Sequence, residues 1–142
     1  MKLMLVGRTG VGKTTLTQRL NKKNLEYKKT QMVDYIGQVI DTPGEYVENR
    51  NYYKALNVVS MDAQIIGLVQ SSLDEVSVFP PNFSSMFLNK KVIGIITKVD
   101  LKSDTKMARN FLNLAGVEEI IEIGKNCEIK ILKNYIGGAN EN

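Results

Sequence analysis

The chain has 142 residues, 43% of them apolar and 24% charged, with a formal net charge of +4 at neutral pH. That is one domain of ordinary soluble composition, able to bury roughly 70% of its unfolded surface, with no apolar run near the ~18 residues that cross a bilayer. It has no histidine and one cysteine, Cys127, which excludes histidine-based triads, histidine metal sites and a disulfide framework and fits a reducing cytoplasm.

Lys2 to Val6 is a short apolar run stopped by Gly7, the pattern of a buried parallel strand and too short for a signal peptide. After a glycine-rich turn, Leu16 and Leu20 stand at helical spacing, and this helix is expected to fade in the stretch Asn21 to Asn24. A weak extended segment, Met32 to Ile36, precedes a second strand at Gln38 to Asp41. Tyr52, Leu56 and Val59 share one helical face, with Tyr52 expected in the core. Ile65 to Val69 is a third apolar run, and Pro80-Pro81 breaks the chain before a short helical candidate, Asn82 to Leu88. Val92 to Thr97 reads as a strand, and Asp104 to Ala115 as a helix with Met107, Phe111 and Leu114 inward. Ile120 to Ile123 is another strand, and the last helix carries Ile129, Leu132 and Ile136 before the stop at Gly137-Gly138.

Residues 1–136 therefore read as one domain and residues 137–142 as a polar tail. Apolar strands alternating with amphipathic helices imply an α/β fold, an open and mainly parallel sheet with helices on both faces. Such sheets bind ligands at the carboxyl ends of their strands. The basic residues fall in small pairs (Lys22-Lys23, Lys28-Lys29, Lys90-Lys91) without interleaved aromatics. They read as solvated surface, so neither nucleic acid nor membrane is an expected partner.

Gly7-Arg8-Thr9-Gly10-Val11-Gly12-Lys13-Thr14 fits G-x-x-x-x-G-K-[ST] between a strand and a helix, and the nucleotide-binding run is taken through Thr15. Its glycines let backbone N–H groups turn inward as an anion nest, to which the helix start adds its positive end. Lys13 supplies charge to the outer phosphates, and Thr14 offers a hydroxyl to Mg²⁺. Asp41 ends the second strand and can reach the metal directly or through water. Gly44, without a side chain, can bring its N–H close to a terminal phosphate. In Thr97-Lys98-Val99-Asp100, the aspartate can accept two N–H bonds from a guanine edge while the lysine stem lies against the purine face. Adenine lacks that pair of donors, so the motif selects guanine.

The set "GRTGVGKTT", "DTPGEY" and "TKVD" resembles the small GTPases of the translation-factor and Ras-like class. More narrowly, "KKTQMVDYIGQVIDTPGEY" resembles the EutP/PduV family of ethanolamine and propanediol utilization. That resemblance implies a Ras-like P-loop NTPase fold with a reduced second strand, GTP or GDP with Mg²⁺ as ligands, and a link to a bacterial microcompartment. It further implies a microcompartment shell or pathway protein as partner and a cytoplasmic location, and it leaves oligomeric state open. By position, Thr30 corresponds to the switch threonine that senses the γ-phosphate and completes the Mg²⁺ shell. The last base-contacting motif is absent, and Gly124-Lys125 stands in its place. Thr97 replaces the more usual asparagine and is expected to tie its loop to the phosphate loop less well.

Glu45 stands where well-studied GTPases carry the glutamine that orients the attacking water. A second carboxylate there opposes the γ-phosphate by about 4 kcal/mol at ~4 Å and an effective dielectric near 20, so slow hydrolysis is expected. Arg8 is a candidate charge stabiliser in cis, weighed against an exposed arginine at the loop edge. Three functions fit these residues: a slowly hydrolysing guanine-nucleotide switch, a P-loop phosphotransferase acting on a small metabolite, and a nucleotide-gated interaction module using Tyr46, Tyr52 and Tyr53.

Overall fold

A computed structural model of the chain describes residues 1–20, 32–124 and 129–137. The first apolar run forms β1 (Leu3–Val6), buried along its whole length, as a strand covered on both faces must be. β3 (Val39–Asp41) and β4 (Ile65–Ser71) flank it, both parallel. β5 (Lys91–Thr97) and β6 (Ile120–Glu122) continue the parallel run beyond β4. β2 (Asp34–Ile36) closes the other edge antiparallel to β3, and its three residues are the reduced second strand. The order β2-β3-β1-β4-β5-β6 is that of an open, mostly parallel α/β sheet.

Alternation along β1 divides the core in two. Met4 and Val6 join Ile40, Leu56, Ile66 and Leu112 on one face, under α2 (Glu45–Glu48), α3 (Tyr53–Ser60) and α4 (Lys106–Ala115). Leu3 and Leu5 join Leu16, Ile93 and Leu132 on the other, under α1 (Lys13–Leu20) and α5 (Ile129–Gly137). Among the described residues, no helix is long and apolar enough to cross a membrane.

Two expected core faces are corrected. In α4 the buried residues are Ala108, Leu112 and Ala115, while Met107 and Leu114 are exposed. Both sets have helical spacing. The small alanines let the helix lie close to β5, where a side chain at Gly94 would come within 2.8 Å of Leu112 Cδ1. Tyr52 is likewise exposed, in a 3₁₀ turn (Arg50–Tyr52) where its ring stacks on Tyr46 at 5.1 Å. The neighbouring Tyr53 packs against the core instead, edge-on to Phe83.

Candidate nucleotide site

The chain leaves β1 at Val6 and turns through the phosphate loop before α1 begins at Lys13. Gly10 (φ +82°) and Gly12 (φ +110°) hold left-handed backbone that side-chain-bearing residues rarely adopt, which is why the loop needs glycine there. Lys13 is only 5% exposed. Burial holds its ammonium below the ordinary lysine pKa, while the charges of Asp41 and Glu48 act the other way. The Thr14 hydroxyl donates to Asp41 Oδ2 at 3.3 Å, joining α1 to the end of β3. A hydroxyl and a buried carboxylate at that separation are hard oxygen donors of the kind Mg²⁺ takes beside phosphate oxygens and water.

The carboxyl end of β5 comes to the same edge. Thr97 Oγ1 donates to the Val11 carbonyl at 2.7 Å, and Lys98 Nζ to the Gly10 carbonyl at 3.0 Å. Thr97 thus ties its loop directly to the phosphate loop, contrary to the weaker tether expected from the loss of asparagine. Its shorter side chain reaches because its methyl and hydroxyl lie over Gly12, where a Cβ would sit 3.6 Å from Thr97 Cγ2. Lys98 adopts φ +61°, a conformation that costs a non-glycine residue roughly 1–3 kcal/mol. Ser72 Oγ holds it there by donating to the Lys98 carbonyl at 2.8 Å. Between this loop and α1 lies a cavity of about 240 Å³, bordered by Gly12, Thr15, Leu16, Lys98, Asp100 and Gly124 among others. Arg19, a residue the motifs did not single out, also borders it and donates to the Gly124 carbonyl at 2.9 Å.

On the opposite side, α2 lies against the phosphate loop. Gly44 is so close to Thr9 that a Cβ there would overlap the Thr9 amide nitrogen and hydroxyl oxygen and lie 2.8 Å from its Cα. Glu45 is exposed. The acid that meets the loop is Glu48, one helical turn on, whose Oε2 accepts the Thr9 N–H at 2.7 Å. Its only sequence signal is its spacing of three from Glu45, which makes the two neighbours on a helix surface. Arg8 is held at the edge of the loop, where its Nη1 donates to the Thr9 carbonyl at 2.8 Å. Its Nε donates to Asp74 at 3.1 Å, its Nη2 pairs with the same carboxylate, and Gln70 and the Ser71 amide hold Asp74 in place. Thr30 and Lys125 lie outside the described residues.

A phosphate loop joining strand to helix, with Asp41 opposite Thr14 on the carboxyl edge of a mostly parallel sheet, defines a P-loop NTPase. The chain belongs to the PduV-EutP family, described as "Ethanolamine utilisation - propanediol utilisation", which it matches over residues 1–138. It is 40% identical over 121 residues to a propanediol utilization protein PduV of Citrobacter freundii, covering 84% of this chain and 80% of that one. It is 32% identical over 120 residues to a probable acetate kinase EutP of Escherichia coli (strain K12), covering 83% and 76%. A tRNA modification GTPase MnmE of Mycoplasmopsis synoviae is 28% identical over 160 residues, which cover 96% of this chain but 33% of that protein. Among solved structures, Methanosarcina barkeri Roco2 RocCORdC bound to GDP superposes with a TM-score of 0.58 at 17% identity. That match spans 99% of this chain and half the length of the other, and it shows the fold.

Proposed function

We propose that the chain binds GTP and GDP with Mg²⁺ and acts as a slowly hydrolysing switch in ethanolamine or propanediol microcompartment metabolism, in the cytoplasm. The observation that carries this reading is the pair of bonds from Thr97 and Lys98 to the Val11 and Gly10 carbonyls. They set the base-reading loop directly on the phosphate loop, with Asp100 bordering the cavity between them. In this reading Gly7 to Thr15 hold the phosphates, Lys13 neutralises the outer ones, and Thr14 and Asp41 hold Mg²⁺, with Thr30 completing the shell. Mg²⁺ there would supply charge neutralisation between the outer phosphates. Asp100 accepts the guanine edge, while Gly124 and Lys125 take the place of the missing last motif. Gly44 is the γ-phosphate sensor. Glu45, exposed at the start of α2, offers no amide to position water, which supports slow turnover. The stack of exposed Tyr52 on half-buried Tyr46 of α2 is a surface through which the nucleotide state would reach a shell or pathway protein.

Asp100→Asn tests the base assignment. An amide no longer accepts both guanine donors but can donate to the extra carbonyl of xanthine. The variant is expected to lose at least about tenfold in GDP affinity and to gain XDP binding, since a bidentate charge-assisted pair is at stake. Unchanged selectivity in calorimetric titration would reject the assignment.

A second reading, phosphate transfer to a small acid, is favoured by the name of the 32% identical relatives, probable acetate kinase. Against it stand the arginines that a phosphate-clamping lid would need. Of the four arginines, Arg8 is paired with Asp74, Arg19 bonds Gly124 and Arg109 is paired with Glu122, which leaves a single one, Arg50, exposed in the turn after α2, and one arginine is not a clamp. With γ-labelled GTP and acetate, the switch reading expects label in free phosphate, and label in an acyl phosphate would establish the kinase.

A further inference from the structure

The contact between Glu48 and the phosphate loop has no counterpart in the motifs that identify this site. A carboxylate oxygen on a backbone N–H of an anion nest makes the charge-assisted bond that a phosphate oxygen would make. Glu48 accepts from Thr9, the residue that precedes the first loop glycine of left-handed backbone. Gly44 lies against the same residue, without room for even a methyl group. Glu48 also acts electrostatically on Lys13, as Asp41 does. The Thr9 N–H is therefore already met by an anion from the α2 side. A diphosphate occupies the nest formed by the amides after Gly10, whereas a third phosphate extends outward past Lys13 toward the loop that follows Asp41. The Glu48 carboxylate stands on that side of the loop, on the Thr9 N–H and one turn of helix beyond Gly44.

Resting on the nucleotide assignment above, we propose that Glu48 is a specificity-determining residue. Its carboxylate caps the Thr9 N–H until a third phosphate displaces it, and this biases the site toward the diphosphate. The exchange makes the triphosphate state conditional on moving α2, because Glu48 is reached from Gly44 through a single turn of helix. Displacement of Glu48 thus couples the γ-phosphate to the segment carrying Tyr46.

Glu48→Gln isolates the charge, since the amide oxygen can still accept the Thr9 bond. The test is calorimetric titration of the full chain and of this variant with GDP and with a non-hydrolysable GTP analogue, Mg²⁺ present throughout. The variant is expected to bind the analogue about tenfold more tightly and GDP within about twofold of the parent, the size expected for relief of one partly screened like-charge contact. An equal change for both nucleotides, or no change for the analogue while GDP still binds, would overturn the role of Glu48 and leave the nucleotide site standing. Failure of both proteins to bind either nucleotide would overturn the site and the proposal together.

Discussion

Lys13→Met is expected to abolish nucleotide binding while leaving the empty chain at least as stable as the parent. The ammonium of Lys13 is almost wholly buried, and burial lowers its pKa. The folded chain therefore holds this proton less firmly than the unfolded chain does. The charge consequently opposes folding at neutral pH, and that cost falls only as pH rises through the lowered folded value toward the unfolded one. A methionine of similar length removes the cost. It also removes the point charge proposed to meet the outer phosphates, and loss of a desolvated charge partner is worth at least about a hundredfold in affinity. Titration with GDP and thermal unfolding of the ligand-free protein check the two halves. Binding within tenfold of the parent would show that Lys13 is structural, and a large fall in melting temperature would show that its buried charge is a net stabiliser.

Gly44→Ala carries the second large effect, and its cause is space, not backbone conformation. Gly44 has φ −58° and ψ −35°, values alanine adopts freely. The obstacle is Thr9, whose amide nitrogen, hydroxyl and Cα already occupy the volume of the added methyl. These are largely backbone atoms of the phosphate loop, so α2 has to move away from it and the Glu48–Thr9 bond opens as well. Such overpacking typically costs about 1–3 kcal/mol, to be read as a lower urea midpoint for the ligand-free chain. The same variant is expected to lose the difference between GDP and GTP analogue in hydrogen-exchange protection of residues 44–53. Retention of that difference, with stability unchanged, would show that Gly44 neither packs on Thr9 nor senses the third phosphate.

The α/β class was legible because apolar strands and amphipathic helices alternate along most of this chain; the parallel strands lie at their apolar runs, and β2 lies in the weak extended segment Met32 to Ile36. The phosphate loop was legible because its spacing carries its own physics, a nest of amides before a helix with a lysine and a hydroxyl at fixed steps. What escaped depended on which of two chemically similar neighbours the tertiary packing selects. Tyr52 and Tyr53 are equally apolar, and only the 3₁₀ turn before α3 decides that Tyr53 meets Phe83 while Tyr52 stacks outside on Tyr46. Met107, Phe111 and Leu114 make as good a helical stripe as Ala108, Leu112 and Ala115, but only the second lets α4 lie over Gly94.

Glu45 and Glu48 repeat this ambiguity inside the site. Position after Gly44 drew attention to Glu45, yet a short helix starting there turns the later acid onto Thr9. Thr97 presents a related ambiguity. Replacement of the more usual asparagine suggests a weaker tether, whereas a hydroxyl set directly over Gly12 reaches the Val11 carbonyl at 2.7 Å.

If the edge shared by the phosphate loop and the Thr97–Asp100 loop is the proposed guanine-nucleotide site, the chain distinguishes guanine from adenine nucleotides. Calorimetric titration of the chain with GDP and ADP, each with Mg²⁺, tests it most directly. The expected result is one-to-one binding of GDP at least about tenfold tighter than ADP, the discrimination of about 1.4 kcal/mol or more available to a bidentate carboxylate on the base edge. Equal affinity for the two, tighter binding of ADP, or heat from neither would contradict it.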